Sequence, residues 1–449
     1  MKNIMHLKAP GNWINDPNGF IRYKGMYHLF YQHFPYAPQW GTMHWGHAVS
    51  SDLIHWEHQG IALFPTIYAD RNGCFSGSAL EHDGKMYIYY TGVRYDEEYP
   101  YNIHKCPEGE YVSSQLMIIS GDGMHFDNFH GKEVVIPPIT DPETGDRAHT
   151  RDPKVWRGKD AWYMFLGSTV DRKYGEILTY RSDDLLNWTL LNRSFKTEGF
   201  GWMWECPDYF ETEGGNVLLV SSMGLMKDEY AGIGRENQTI CMMADFDEET
   251  GALQIGGQYQ FMDYGLDLYA PQSTLDAAGR RVLIAWLRMP RPVESGDACE
   301  WCGMFCLPRV VEVKNGHAYF DVHPDVKKSY SRKIYSPEEA NEAGYRISME
   351  LKDGEYVDIG GYRIYREQAQ ICTDRSEVFP ETGKIWTQFT TPEIKDGYHL
   401  DIYVENNLVE VYINAGEYVI SNAVYGLGKD ILTDSAGDMD IRTPGDPCE

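Results

Sequence analysis

The 449-residue chain has no run approaching the roughly 18 consecutive apolar residues that a membrane span needs, so no membrane partner is expected. Its first ten residues, MKNIMHLKAP, contain no apolar core of a secretory signal, which makes the cytoplasm the expected compartment. Basic side chains are scarce: 40 Lys and Arg stand against 67 Asp and Glu, a net charge of −27. A surface of that sign repels phosphate backbones and anionic lipid, so nucleic acid is excluded as a partner. The nine cysteines, odd in number and irregular in spacing, make no disulfide framework and are expected to be reduced thiols. One cluster, Cys299, Cys302 and Cys306 in CEWCGMFC, holds the first half of a zinc pattern without a second Cys or His pair. It is read as structural, with metal binding as the alternative. Long amphipathic helical periodicity is also missing, whereas β-branched and aromatic runs dominate.

What is present is a repeat. DPNGFIRYKGMYHLFYQ from Asp16, FSGSALEHDGKMYIYYTG from Phe75, DPKVWRGKDAWYMFLGS from Asp152, CPDYFETEGGNVLLVSSM from Cys206 and APQSTLDAAGRRVLIAWL from Ala270 share one plan. Each is a short entry, a strand, a Gly-containing turn and a more apolar strand. A second ladder, SSDLIHW, SGDGMHF and RSDDLLNW, combines Ser, Asp and a closing aromatic, as a strand ending in an Asx-type turn does. Sheets that recur without burying both faces alone point to an all-β fold, a five-bladed β-propeller. With 42% apolar residues the chain can build one large and one small core. The expected division is a propeller over 1–325, then a short linker and β-sandwich over 326–449, with DVHPDVKKSYSRK (321–333) as the linker. The acidic, Gly-rich end, DSAGDMDIRTPGDPCE, reads as one last edge strand or a mobile tail.

In GNWINDPNGF, Pro17 biases Asp16 towards an extended backbone and Asn18-Gly19 favours a tight turn, so a surface turn holding an acid is the plain reading. The repeat argues against it. Asp16 precedes Pro17, Asp152 precedes Pro153 and Glu205 precedes Cys206-Pro207, nearly the same place in three repeats. The first strand of each propeller blade lines the central axis, so acids separated by roughly 190 residues of chain converge on one funnel. Paired carboxylates there serve acid and base chemistry.

At these residues the chain resembles a known family. NDPNG (15–19), FSGS (75–78), RDP (151–153), ECPD (205–208) and YAPQ (269–272) stand in the order and context of glycoside hydrolase family 32, the β-fructosidases and invertases. HLDIYVENNLVEVYINAGEYVISNAVY (399–425) looks like a strand pair of that family's C-terminal β-sandwich. The resemblance implies a retaining hydrolase of fructosyl linkages acting on a small-molecule fructosyl saccharide. Asp16 would be the nucleophile, Glu205 the acid and then base, and Asp152 the stabiliser of an oxocarbenium-like transition state. Trp202 and Trp204 would give Glu205 an apolar setting. Asn15 and Gln32 would bond sugar hydroxyls or orient the nucleophile, Trp40 and Phe75 would form walls, and Ser76 and Arg151 would contact the sugar or tune the acids. Asp208, Tyr269 and Trp286 are further candidates, while Trp40 and Trp286 stay open between wall and ordinary core. This chemistry needs no metal and no cofactor.

Two departures from the family pattern are visible: Thr150 stands where an aromatic is usual, and the sandwich is short. His44, His47, His55 and His58 alternate along a strand without the spacing of a metal site and are read as structural. The alternatives are a sucrose-6-phosphate hydrolase, a fructosyltransferase, an inulin or levan exo-hydrolase, an inverting arabinan or xylan hydrolase on five blades, and a sugar-binding propeller without catalysis. Homo-oligomer formation is left open.

Overall fold

The structure, a computed structural model, describes residues 2–107, 109–225, 236–294, 300–341, 343–379 and 386–445. Five sheets come first in the chain, antiparallel except where Trp301–Cys302 runs parallel to the inner strand of the first. Their innermost strands are Asn12–Tyr23, Gly73–His82, Arg151–Arg157, Met203–Thr212 and Leu268–Leu275, of blades I to V in that order. Each inner strand packs on the next and the fifth returns to the first, which closes the ring. The predicted hairpins are all present, with Lys24-Gly25, Asp83-Gly84 and the other turns between paired strands. The short strand Lys2–Ile4 pairs with the outer strand of blade I, His55–Leu63.

The Ser-Asp ladder repeats its geometry three times. The Oδ1 atoms of Asp52, Asp122 and Asp184 each accept two backbone N–H groups at 2.8–2.9 Å. The hydroxyls of Ser50, Ser120 and Ser182 each accept a third at 2.9 Å. Every one of these turns joins the third strand of a blade to the fourth, so polar backbone is satisfied where the chain reverses.

Two further sheets form the sandwich. One carries Tyr345–Glu350, His399–Glu405, Leu408–Ile413 and Tyr418–Ala423; the other carries Tyr356–Ile359, Tyr362–Glu367 and Gln370–Asp374. Ile347, Ile364, Ile402 and Val411, all fully buried, fill the space between them. The expected last strand exists: Asp440–Thr443 pairs with both Arg332–Lys333 and Tyr345–Glu350. The segment 321–333 is more ordered than a linker, because it holds the α-helix Pro324–Ser329, whose Val326 is buried in the core shared by propeller and sandwich.

Charge also fastens the two parts. The N-terminal strap inserts His6 between two sandwich carboxylates, with Nδ1 2.6 Å from Glu405 and Nε2 3.1 Å from Glu410. Lys8 pairs with Glu405. Arg309, on blade V, bonds Glu410 at 2.9 Å, Asp263 at 3.0 Å and Ser421 at 2.8 Å. Three cations face three carboxylates, and their mutual pairing offsets much of the cost of burying the charges, although Arg309 Nη1 has no hydrogen-bond partner among the described residues.

Among the described residues no helix is long and apolar enough to cross a membrane. Cys302 and Cys306 are buried thiols facing Met289 O and the Ala285 amide, and Cys299 lies outside the described residues.

Candidate active site

The site is built on a flaw repeated in every inner strand. Between Ile14 and Pro17, Cys74 and Gly77, Arg151 and Lys154, Glu205 and Asp208, and Tyr269 and Gln272 the register slips, leaving two residues opposite one. These are β-bulges, which break the ladder and re-aim side chains. Three of the bulge residues, Asp152 (φ 64°), Cys206 (φ 46°) and Ala270 (φ 51°), adopt left-handed backbone, which costs a non-glycine residue about 1 kcal/mol. Each precedes a proline, which removes the N–H that the broken ladder would strand.

The bulges also refine the repeat argument. Asp16 is the second bulge residue of its strand, Asp152 the first, and Glu205 the residue before its bulge. The three acids therefore occupy three successive levels, one step apart, not one equivalent position. Asn18-Gly19 is no tight turn: residues 12–23 form one strand, and Gly19, at φ 51°, sits in a second bulge where a Cβ would meet Phe30 Cδ2 at 2.9 Å.

The acids nevertheless meet. Asp16 Oδ2 accepts the Ser76 hydroxyl at 2.6 Å, and Oδ1 accepts the Asn15 amide at 3.0 Å. Asn15 is itself oriented by the Trp13 indole N–H at 2.7 Å. Asp152 Oδ2 accepts the Cys206 backbone N–H at 2.9 Å. The Cys206 thiol lies 3.4 Å from Asp16 Oδ2 and 3.5 Å from Asp152 Oδ2, so a single sulfur touches both carboxylates. Glu205 takes the Arg151 guanidinium on Oε1 at 2.8 Å and the Tyr269 hydroxyl on Oε2 at 2.6 Å. Its side chain is 21% exposed against 5% for Asp152, so Glu205 is more open to an arriving group than Asp152.

Crowding shapes the protonation. Burial raises Asp16 above the ordinary carboxylate range against the hydrogen bonds of Ser76, Asn15 and Cys206, and the charge of Glu205 adds to the rise. Burial likewise carries Asp152 up to about 7, opposed by Arg151 and assisted by the charges of Glu205 and Asp16. Burial also pushes the Cys206 thiol well up, so it remains a donor.

Of the other candidates, Phe75 packs edge-on against Trp40, with ring centroids 6.1 Å apart, and Trp286 edge-on against Trp13 at 5.8 Å. All four rings are partly exposed, and Trp286 packs against Cys206 and Tyr269. The Gln32 side chain bonds Cys74 O at 3.0 Å and so braces blade I against blade II. Asp208 does not reach the pocket: it is fully buried and held by Lys154 at 2.9 Å and the Ser273 N–H at 2.6 Å. Trp204 is likewise in the core between blades III and IV, whereas Trp202 packs against His149. Thr150 is buried on Ser168 and is no wall of the pocket. The four histidines bond Thr42 O (His44), His28 (His47), Asp52 (His55) and Tyr31 (His58). Cys206, Tyr111 and His149 were not singled out by the sequence; the first lies inside the ECP motif, and the other two carry no motif.

A family model for the glycosyl hydrolases family 32 N-terminal domain matches residues 6–324, and one for the family 32 C terminal matches 308–437. The chain belongs to glycosyl hydrolase family 32. Within it, a sucrose-6-phosphate hydrolase of Escherichia coli is 32% identical over 449 residues, covering 94% of this chain and 88% of that protein. A raffinose invertase of Escherichia coli is 32% identical over 450 residues, covering 94% and 89%. Among solved structures, a β-fructofuranosidase of Bombyx mori superposes with a TM-score of 0.80 at 27% identity, over 98% of this chain and 94% of that one. As a family 32 glycoside hydrolase, the protein has the propeller and sandwich of its relatives, and its three acids lie on innermost strands of three blades.

Proposed function

We propose that the protein is a retaining β-fructofuranosidase that hydrolyses terminal fructofuranosyl linkages in sucrose or short fructo-oligosaccharides. The observation that carries this reading is the meeting of Asp16, Asp152 and Glu205, with one thiol against both aspartates. Asp16 Oδ forms the bond to the anomeric carbon as the bond to the leaving oxygen breaks, and Glu205 supplies the proton that oxygen takes. Water then attacks the fructosyl-enzyme, Glu205 accepts its proton, and Asp16 is released. Asp152 holds ring hydroxyls and offsets the positive charge that develops on the ring. The Ser76 and Asn15 hydrogen bonds keep Asp16 aimed and favour its anionic form against burial. Trp40 and Phe75 enclose the apolar side of the sugar, with Trp286 opposite, and Asn15, Ser76, Arg151 and Tyr269 supply polar contacts.

On this reading the propeller over 1–325 is catalytic and 326–449 supports it. The cytoplasm is the compartment assigned, and cell fractionation tests that. A second reading, hydrolysis of sucrose 6-phosphate, is favoured by the likeness to the sucrose-6-phosphate hydrolases of Escherichia coli and of Bacillus subtilis, the latter 31% identical. Comparing kcat/KM for sucrose, its 6-phosphate, kestose, inulin and levan decides between them. Fructose release from none of these overturns the reading.

A further inference from the structure

Glu205 is positioned from outside the motifs. Arg151 approaches it with Nη2 at 2.8 Å and Nε at 3.3 Å, both on Oε1. The other guanidinium nitrogen, Nη1, points away, 3.3 Å from the Tyr111 hydroxyl and 3.3 Å from His149 Nδ1. Tyr111 and His149 also meet each other, at 3.1 Å. A guanidinium has only donors, so His149 Nδ1 must present a lone pair here and the imidazole must be neutral. Tyr111 fits between them, accepting from Arg151 and sharing the one Nδ1 lone pair of His149 as a second donor, while His149 Nε2 has no hydrogen-bond partner among the described residues.

We propose that His149 and Tyr111 are positioning residues for the acid and base steps: they hold the Arg151 guanidinium on Glu205. This rests on the proposed role of Glu205.

The surroundings support it. Burial and the neighbouring Arg151 cation lower His149 to about 4, so it stays a neutral acceptor across the working range. Its ring is 4% exposed and packs edge to face against Trp202, centroids 5.1 Å apart at 88°. Asp146 fixes the turn, accepting the Ala148 and His149 backbone N–H groups at 2.9 and 2.8 Å, and Arg172 reaches Asp146 from blade III. The groups facing Glu205 itself are Arg151, Tyr269, Asp16, Asp152, Cys206, Tyr111, His149 and a second cation, Arg288, which lies over the Tyr269 ring at 4.9 Å. Tyr111 enters from blade II and His149 from the loop before blade III, so the array joins two blades at the rim of the funnel.

A carboxylate that loses its guanidinium holds its proton more tightly, so freeing Arg151 moves the alkaline limb of the rate profile to higher pH. The test is the pH profile of kcat/KM for fructose release by wild type, Tyr111→Phe, His149→Phe and His149→Gln. The inference expects Tyr111→Phe and His149→Phe to lower kcat severalfold and raise the alkaline limb by half a pH unit or more. In His149→Gln, whose amide oxygen replaces Nδ1, the limb returns towards wild type. A rate lowered by one factor at every pH, or an unchanged profile in Tyr111→Phe, overturns it. Should His149→Phe fail to fold, Tyr111→Phe, which loses a single oxygen, still decides. An inactive wild type would instead count against the proposed function.

Discussion

His6 gives the sharpest prediction about how the two parts of the molecule are held. Burial alone would strip its proton, but hydrogen bonds and charge from Glu405 and Glu410 outweigh that and carry its pKa from 6.5 to about 9. Such a rise corresponds to about 3 kcal/mol of stability. Because the folded value lies above the unfolded one, this contribution is complete below pH 6.5 and disappears as pH rises through 9. The physical event is the loss of one of three cations from a cluster that keeps Glu405, Glu410 and Asp263 buried. The assay is urea unfolding followed by tryptophan fluorescence, on wild type and His6→Gln at each pH, so that groups unrelated to His6 cancel. The wild-type advantage should shrink by about 3 kcal/mol between pH 6 and pH 10. A difference that stays flat over that range refutes the reasoning.

Removing the shared thiol donor with Cys206→Ala should lower kcat by about tenfold, roughly 1.4 kcal/mol, with little change in KM, since the two aspartates lose one donor but keep their other partners. Steady-state kinetics on sucrose measures this. Gly77→Ala should destabilise the propeller by about 3 kcal/mol or more, because its Cβ would stand 1.9 Å from Tyr89 O; a thermal melt reads it. Asp208→Asn should lower the melting temperature and leave KM unchanged, because Asp208 braces Lys154 and blade V beneath the pocket. A raised KM with an unchanged melt would return Asp208 to the sugar site.

The blades were legible because strand period, turn glycines and the Ser-Asp ladder are local signals that survive in any one repeat. The convergence of Asp16, Asp152 and Glu205 was legible as well, although the bulges that bring it about were not. Pro17, Pro153, Pro207 and Pro271 mark where an N–H is missing, but whether the register then slips depends on the facing strand. Trp204, next to Glu205, turns to the opposite face of its strand, whereas Asp208 is taken up by Lys154 and the Ser273 N–H from neighbouring blades, partners the motif does not show. Tyr111, His149 and the His6 cluster were invisible for a different reason: their partners come from other blades or from a sheet some 400 residues away. Ion pairs of that range leave no periodic trace.

The account depends most on Asp16 attacking the anomeric carbon. In Glu205→Ala, fructosyl fluoride, whose leaving group needs no proton, should react while the second step stalls. Mass spectrometry of the quenched protein should then find one fructosyl group on the peptide that carries Asp16. Fluoride release with Asp16 unmodified, or the sugar on another carboxylate, would contradict it.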